Sequence, residues 1–307
     1  MQHVLDGLKA IAEETRLRLV VICNNREFTV SELTRILGQS QPRVSRHLKL
    51  LCDAGLLERF REQNFVLYRV SQKGSGGQLA ESILELLPLD HETLRLDRLR
   101  VQEVLQKRDK EAAETLAHLP VNFHGFKAHK IDESEVDQII LELTKKLKVG
   151  ELLDIGTGTG RMLRLLGSKT DQAVGIDISP QMLRLARAQL SQAGLGKFSI
   201  RYGDMYHLDF PNGSFDTVTM DQVLTDAHEP LRVMEEASRL IRPGGNLVLV
   251  VYQDELKKRP MFKNRNEVKK RFNEYGLELS QLKTVSGGRG QVFIICGLKK
   301  LISEEIA

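Results

Sequence analysis

Apolar residues recur every three or four positions through the first fifty residues, the spacing that buries one face of a helix. The first two helices are predicted from the apolar positions Leu5, Leu8, Ile11, Ala12, Leu17, Leu19, Val20 and Ile22. A third helix is expected to begin after Thr29, because Glu32 stands three residues further on and completes a capping box. Gly38 ends that helix, since glycine is favoured just past a helix terminus.

A fourth helix and a β-hairpin follow. The helix is predicted from about Pro42, which suits a first turn, to a stop at Gly55, and the strand-like runs 56–60 and 66–70 come next. Two helices joined by a tight turn and then a hairpin describe a winged helix-turn-helix. The second helix of the pair carries side chains that bind base edges and phosphates, namely Ser40, Gln41, Arg43, Ser45, Arg46, His47 and Lys49. The residues of the predicted wing that would follow the DNA backbone are Arg59, Arg61 and Gln63.

The pattern changes near residue 151, where short apolar runs alternate with helical stretches, as in a parallel α/β sheet. The run Leu152–Ile155 leads directly into a glycine-rich turn, Gly156-Thr157-Gly158-Thr159-Gly160, whose backbone can approach a ligand closely. The next strand ends at Asp177, where an acid can accept hydrogen bonds from ribose hydroxyls. The GxGxG spacing, in place of GxGxxG, favours S-adenosylmethionine over a dinucleotide, because S-adenosylmethionine has no pyrophosphate.

The length of 307 residues favours two domains at roughly 150 residues each. We predict a DNA-binding and dimerisation domain over 1–88, a helical linker over 89–126 and a cofactor domain over 127–307. Gly74–Gly77 is predicted to be a flexible joint, and the charged stretch of about 91–119 a solvated linker helix. A helical stripe of the kind that pairs with a partner copy is formed by Leu79, Ile83, Leu86 and Leu87.

Positive charge is concentrated at the start of the chain. Residues 1–73 carry 12 Lys and Arg against 8 Asp and Glu, an excess equal to the whole chain's net charge of +4. Such asymmetry points to nucleic acid. The three cysteines are scattered, no signal peptide is recognisable, and the longest apolar run, 247–252, is too short to cross a bilayer. We therefore expect a cytoplasmic protein without a membrane partner.

Two segments, 8–19 and 39–51, together with Ala54-Gly55-Leu56-Leu57, resemble the ArsR/SmtB winged-helix repressors. The resemblance covers roughly the first 85 residues. It implies a homodimer that reads an inverted repeat in operator DNA, with the helix Arg43–Lys49 in the major groove.

The chain departs from the metal-sensing members of that family. Those members carry a Cys-x-Cys-like motif at the start of the helix before recognition, whereas the corresponding stretch here, Glu27–Glu32, has no thiol. Cys23 and Cys52 are interpreted as core residues, and Asp90-His91-Glu92 as solvated surface. No metal site is predicted.

Five ordered segments resemble the small-molecule branch of the class I S-adenosylmethionine-dependent methyltransferases: 152–160, 174–179, 203–205, 215–218 and 240–248. The predicted fold class is therefore α/β multidomain, with a winged helix-turn-helix followed by a Rossmann-like class I methyltransferase fold. The resemblance implies that an adenosyl ligand is bound by Asp154, Gly156, Gly158, Gly160, Asp177, Ile178, Asp204, Met205 and Asp221.

Each of these positions has an implied role. The three glycines would pack under the ligand, with Asp154 stabilising their loop, and Asp177 would hold the ribose hydroxyls. Asp204 would accept from the adenine amino group, and Asp221 would lie near the sulfonium and the amino-acid moiety. The adenine ring would lie between the side chains of Ile178 and Met205.

The fusion resembles the S-adenosylhomocysteine-responsive regulators of methionine metabolism in bacteria. It implies a repressor whose methyltransferase-like domain binds S-adenosylhomocysteine or S-adenosylmethionine as an effector. The alternative is a bifunctional regulator that is also an active S-adenosylmethionine-dependent small-molecule methyltransferase. A DNA-modifying methyltransferase ranks last, because the stretch 220–228 has no Asn-Pro-Pro-Tyr-like motif. Methyl transfer needs orientation more than a dedicated base, so no catalytic residue is assigned.

Overall fold

The computed structural model describes residues 1–24, 26–62, 65–71, 74–88, 90–118, 131–193, 198–252, 264–287 and 290–299. The described residues up to 114 form one compact unit. Those from 115 onward form a second, apart from Phe198 and Ser199 at the start of a strand. The division lies inside the stretch 89–126 that the sequence suggests as a linker.

The first unit is a winged helix-turn-helix with additional helices. Its helices are α1 Gln2–Ile11, α2 Glu14–Ile22, α3 Val30–Leu37, α4 Gln41–Asp53, α5 Gly74–Leu86 and α6 Glu92–Ala117. Its strands are β1 Phe28–Thr29, β2 Leu57–Glu62 and β3 Phe65–Val70, in an antiparallel sheet of order β1-β3-β2. The helix pair α3 and α4 and the hairpin β2–β3 confirm the predicted order of elements.

Local sequence signals set the ends of α3. The Thr29 side chain accepts from the Glu32 backbone N–H, and the Glu32 side chain accepts from the Thr29 backbone N–H at 2.8 Å. Gly38 follows the helix with a φ of 65°, in the left-handed region that favours glycine. Buried side chains such as Leu33 and Ile36 fix the opposite face of α3 in the core.

The predicted flexible joint at Gly74–Gly77 is wrong, because these residues form the first turn of α5. A Cβ atom on Gly76 would lie 2.2 Å from the carbonyl oxygen of Gly55, in the turn that ends α4. A Cβ atom on Gly7 of α1 would likewise lie 2.6 Å from Leu79 of α5. Glycine therefore allows close packing of α5 against its neighbours here.

The apolar stripe predicted on α5 is divided between two environments. Leu79 and Ile83 pack against the core of their own unit, whereas Leu86 is 83% exposed. The charged helix α6 also has a buried side, which includes Leu94, Asp97 and Val104. The description of α6 as a solvated linker therefore holds for its outer side only.

The second unit is a seven-stranded sheet flanked by helices. Its helices are α7 Glu133–Leu143, α8 Arg161–Leu166, α9 Pro180–Gln192, α10 Val223–Asp226, α11 Pro230–Leu240 and α12 Arg265–Glu274. Its strands are β4 Gly150–Ile155, β5 Thr170–Asp177, β6 Phe198–Tyr202, β7 Phe215–Asp221, β8 Ile241–Tyr252, β9 Leu277–Gly287 and β10 Gly290–Lys299. The strand order is β6-β5-β4-β7-β8-β10-β9.

Strand direction places the site. β4 pairs in parallel with β5 and β7, and β7 in parallel with β8, while β10 runs antiparallel to its neighbours β8 and β9. The carboxyl ends of β4, β5 and β7 therefore meet at one edge of the sheet, where α/β proteins of this kind bind ligands. The predicted α/β class is confirmed, with an antiparallel pair added at one side of the sheet.

Candidate cofactor site and nucleic-acid face

The glycine-rich turn after β4 depends on backbone that only glycine adopts readily. Gly156, Gly158 and Gly160 have φ values of 64°, 52° and 82°. A Cβ atom on Gly156 would lie 2.5 Å from the Val223 side chain, whereas one on Gly158 would meet nothing closer than 4.0 Å. Gly156 therefore permits close packing, and Gly158 leaves open space above the loop.

Asp154 supports this loop from below. It is 1% exposed, and its two carboxylate oxygens accept from the hydroxyls of Thr157 and Thr219, each at 2.7 Å. Burial raises the pKa of Asp154 to about 7, although the two hydroxyl hydrogen bonds lower it. The carboxyl group thus ties the end of β4 to the loop and to β7.

Asp177 connects two of the loops at the strand edge. Its carboxylate accepts from the backbone N–H of Gly158 at 2.9 Å and from that of Ser179 at 2.8 Å. Burial raises the pKa of Asp177, while these backbone hydrogen bonds lower it. A carboxylate has about four lone-pair sites, so it can also accept from a ligand hydroxyl. The neighbouring Ile178 is 60% exposed.

Asp204 and Met205 follow β6, in the loop before β7. Asp204 is exposed and accepts from the Tyr206 backbone N–H at 3.0 Å, and Met205 packs partly against the core. The Gly203 backbone N–H donates to the carbonyl of Asp177 at 3.2 Å, which joins the two strand ends. The predicted acids at 154, 177 and 204 therefore belong to one strand edge.

Two residues of α11 hold this loop, and the sequence analysis missed them. Glu236 accepts from the Leu208 backbone N–H at 2.7 Å, and Arg239 donates to the carbonyls of Leu208 and Phe210. Arg239 also pairs with Glu236 at 2.7 Å. Only the pairing of these two residues, three positions apart on a helix, could have been read from the sequence.

Asp221 ends β7 and is paired with Arg161. The Arg161 Nη1 atom lies 2.6 Å from Asp221 Oδ2, and Arg161 also contacts Asp137 and Glu133 of α7. The sequence analysis regarded Arg161 as a loop residue. Its position directly after the glycine turn was the available signal, but its partners come from distant elements.

Most of the predicted DNA-binding side chains lie on the exposed side of α4 and of its amino-terminal turn. Ser40, Gln41, Arg43, Ser45, Arg46 and Lys49 are exposed, whereas Val44 and Leu48 on the other side of the helix are fully buried. Arg61 on β2 is also exposed. Gln63 lies outside the described residues.

His47 is placed differently from the other predicted DNA-binding residues. Its side chain is 12% exposed, and its Nδ1 atom lies 3.6 Å from a carboxylate oxygen of Glu13, at the start of α2. Desolvation lowers the pKa of His47, and the charges of Arg16, Arg43 and Arg46 lower it further against the opposing effect of Glu13. His47 is therefore neutral at pH 7 and contacts α2.

Comparison with protein families agrees with both halves. Residues 13–59 match the family described as bacterial regulatory protein, arsR family, and residues 153–249 match the family described as methyltransferase domain. The chain joins an arsR-family regulatory domain to a methyltransferase domain. The first match contains α3 and α4, and the second contains the strand ends that carry the glycine turn, Asp177, Asp204 and Asp221.

Curated relatives match the methyltransferase domain. The chain is 38% identical over 102 residues to a phosphatidylethanolamine N-methyltransferase of Cereibacter sphaeroides, covering 33% of this chain and 50% of that protein. It is 35% identical over 99 residues to a demethylmenaquinone methyltransferase of Tropheryma whipplei, covering 32% and 40%. The matched stretch thus spans half or less of these relatives.

Among solved structures, the [4+2]-cyclase SpnF resembles the chain with a TM-score of 0.50 and 20% identity, over 66% of this chain and 96% of that one. This likeness concerns the fold of the methyltransferase domain. Its named activity is a cyclisation, so this fold by itself does not identify methyl transfer.

Within the arsR-family domain, helix α6 holds both ends of α3. Arg108 donates to Glu32 at 2.7 and 2.6 Å and to the carbonyl of Glu27 at 3.0 Å. Arg100 donates to the carbonyl of Ile36, near the other end of α3, at 3.1 Å. Burial raises the pKa of Glu32, but the hydrogen bonds and charge of Arg108 lower it more, and its pKa falls below the ordinary value.

A further ion pair anchors the same helix to α2. Arg18 and Asp97 form two hydrogen bonds of 2.7 and 2.8 Å, and Asp97 is 1% exposed. Both partners of a buried ion pair must stay in place, because an unpaired buried charge is costly. α6 is therefore fixed to the two helices that pack against α4.

The described residues contain no group of three or more His, Cys, Asp or Glu side chains that could hold a metal ion. Burial raises the pKa of the Cys23 thiol and brings that of Cys52 to about 11, so both thiols are protonated at neutral pH. Within the same described ranges, every helix is too short or too polar to span a bilayer.

Proposed function

We propose that the protein is a DNA-binding transcriptional regulator, acting as a repressor, whose methyltransferase domain binds S-adenosylhomocysteine or S-adenosylmethionine as its effector. The observation that carries this proposal is the presence in one chain of an exposed basic helix and an acid-flanked glycine turn. The helix suits operator DNA, and the turn suits an uncharged, hydroxyl-bearing nucleoside. Both ligands would be met in the cytoplasm.

The residues at the strand edge fit an adenosyl ligand. The open space above Gly158 leaves room for a ligand against the backbone. Asp177 would accept from the ribose hydroxyls, and the exposed Asp204 from the adenine amino group. Ile178 and Met205 would cover the two faces of the adenine ring. S-adenosylmethionine would supply an activated methyl group, whereas S-adenosylhomocysteine would only occupy the site.

Operator binding by a homodimer would follow from the arsR-family domain. Val4, Leu5 and Leu8 of α1 are each 43–44% exposed, which is unusual for three leucine-like side chains on one short helix. A second copy of the chain is the occupant that we propose for this face. Two copies related by a twofold axis would read an inverted repeat through their α4 helices.

Coupling between the ligand and the DNA would pass along α6. This helix is fixed to α2 and α3 over most of its length, and its last residues, Thr115–Ala117, are grouped with the second unit. An effector shifts DNA affinity only if it favours one arrangement of the DNA-binding unit over the other. A helix anchored to α3 at both ends is suited to transmit such a preference.

The deciding experiment measures operator affinity with and without each adenosyl compound. A duplex selected from a random-sequence library serves as operator, and fluorescence anisotropy gives its affinity alone and with saturating S-adenosylmethionine or S-adenosylhomocysteine. We expect at least one compound to change the affinity by about tenfold, within the usual range of coupling between sites. If neither compound changes it, the effector proposal is wrong.

Two variants separate the halves of this proposal. Arg46→Ala should weaken operator binding and reduce its salt dependence or its base preference. Asp177→Ala should weaken adenosyl-ligand binding, measured by calorimetry, while ligand-free protein still binds the operator. Loss of ligand-free DNA binding in Asp177→Ala would show that the two domains are not separable in this way.

The second candidate is a bifunctional regulator that also methylates a small molecule. The observation that favours it is the likeness of the methyltransferase domain to a phosphatidylethanolamine N-methyltransferase. Transfer of a labelled methyl group from S-adenosylmethionine to a panel of amine and hydroxyl acceptors tests it. Turnover would establish this reading, and its absence across the panel would leave the regulator alone.

A further inference from the structure

Arg161 is surrounded by carboxylates from two other elements. Its Nε atom lies 3.2 Å from Glu133, one of its terminal nitrogens contacts Asp137, and the other lies 2.6 Å from Asp221. The Arg161 side chain is 9% exposed, and that of Asp221 is 14% exposed. The guanidinium therefore holds the end of β7 and the first two turns of α7 together.

The charges in this group do not balance. Three carboxylates face one guanidinium, so negative charge remains at a largely buried place. Burial raises the pKa of Asp137, and the negative charges of Glu133 and Asp221 raise it further against the effect of Arg161. A group with surplus carboxylate oxygens can accept hydrogen bonds from a cation.

The sheet order indicates which part of an adenosyl ligand would meet this group. Asp204 follows β6 and Asp177 ends β5, whereas Asp221 ends β7, on the other side of β4 and its glycine turn. A ligand with its adenine at Asp204 and its ribose at Asp177 extends across β4. Its amino-acid end, which carries an α-ammonium group, then points toward Asp221.

The orientation of the Asp221 carboxylate is fixed from both sides. Arg161 donates to one oxygen, and the Gln222 side-chain amide donates to the other at 3.3 Å. Gln222 has a φ of 63°, in the left-handed region, where a residue other than glycine is strained. Its backbone N–H donates to the carbonyl of Val250 at 2.8 Å, which holds this conformation.

We propose that Arg161 is a positioning residue that orients the Asp221 carboxylate to receive the α-ammonium group of the ligand's amino-acid end. This inference rests on the proposed adenosyl site and specifies how it distinguishes ligands with that end from ligands without it. Arg161 acts through Asp221 and through α7. Compounds that share the adenosyl part but lack the amino acid gain nothing from it.

The test compares the affinities of S-adenosylhomocysteine and 5′-methylthioadenosine, which lacks the amino-acid end, by calorimetry on the full chain. We expect wild-type protein to prefer S-adenosylhomocysteine. Arg161→Gln should reduce that preference by about tenfold, the loss that accompanies a weakened charge-assisted hydrogen bond. Its affinity for 5′-methylthioadenosine should stay close to wild type.

The matched control is Arg164→Gln, an exposed arginine one turn further along α8, which should keep the preference. If Arg161→Gln does not fold, Arg161→Lys takes its place, because a single ammonium cannot serve three carboxylates at once. Equal loss of affinity for both compounds, or an unchanged preference, overturns the role of Arg161. Wild-type protein that binds neither compound refutes the proposed adenosyl site itself.

Discussion

Asp154 carries a carboxyl group in a place that water does not reach. Both of its oxygens accept from threonine hydroxyls, one from the glycine loop and one from β7. Burial nonetheless raises its pKa to about 7, since two neutral hydrogen bonds do not replace full hydration. The group that shapes the loop is therefore close to half protonated at neutral pH.

This residue should make the stability of the methyltransferase domain depend on pH. Because the pKa of Asp154 is raised from its ordinary value of 3.8 to about 7, its stabilising contribution is complete below about pH 4 and is lost as the pH rises to 7. Asp154→Asn should remove about 3 kcal/mol of the difference in free energy of unfolding between pH 5 and pH 8. Chemical denaturation at the two pH values measures it.

The exposed Asp209 of the same domain provides the control for that experiment. Asp209→Asn should leave the pH dependence as it is in wild type. If Asp154→Asn and wild type lose the same free energy of unfolding between pH 5 and pH 8, Asp154 does not titrate in this range.

Gly158 should matter more for the ligand than for the fold. Gly158→Ala places a methyl group in open space and costs about 1 to 2 kcal/mol from its positive φ. S-adenosylhomocysteine affinity should fall at least about tenfold, because the methyl group occupies the space where the ligand meets the backbone. Gly213→Ala, at a φ of 62° in the turn before β7, is the matched control. Similar ligand affinities in both variants would contradict this role.

At the scale of elements, α6 and α3 form a pair whose contacts explain their alignment. Arg100 and Arg108 are eight residues apart, a rise of roughly 12 Å, which is also the length of the eight-residue α3. Arg100 meets the carboxyl end of α3 and Arg108 meets Glu32 near its amino end, so the helices run antiparallel. The capping residue of α3 is thus also the partner of α6.

Arg108→Gln should weaken the response of DNA binding to the effector more than it weakens the effector's own binding. The change removes the charge-assisted hydrogen bonds to Glu32 and the contact with Glu27, and so releases the amino end of α3 from α6. The ratio of operator affinities with and without ligand should fall by about fivefold or more. Lys107→Gln, at an exposed neighbouring position, should keep the wild-type ratio. An unchanged ratio in Arg108→Gln would remove α6 from the coupling path.

At the scale of the whole molecule, charge and exposed apolar surface are unevenly distributed. The excess of positive charge is confined to the first 73 residues, while the remaining residues are balanced. The exposed apolar side chains of α1 lie in that same basic part of the chain. A basic, self-associating unit and a neutral ligand-binding unit are suited to divide operator recognition from sensing.

Leu8→Glu should convert the protein to monomers if α1 forms the interface between copies. A charge on the exposed face of α1 would have to be buried without a partner in the dimer. Sedimentation at micromolar concentration should show the loss of the dimer, and operator affinity should fall with it. Leu231→Glu, at an exposed leucine of the methyltransferase domain, should leave both unchanged. A dimer that survives Leu8→Glu would place the interface elsewhere.

The sequence by itself determined the features that depend on neighbours along the chain. The capping box at Thr29 and Glu32, the stop at Gly38 and the alternation of strands and helices after residue 150 all follow from local hydrogen bonding and hydrophobic periodicity. The positive-φ glycines at 156, 158 and 160 were readable for the same reason, because their spacing is short and only glycine suits such backbone.

Only the tertiary structure decided what depends on distant partners. Gly76 looked like part of a flexible joint, yet it lies against the turn at Gly55, and this close approach is not encoded by its own neighbours. His47 looked like a DNA ligand, but its side chain contacts Glu13. Arg161 and Arg108 acquire their roles from carboxylates that folding brings to them from other elements, and such pairings cannot be read from one stretch of chain.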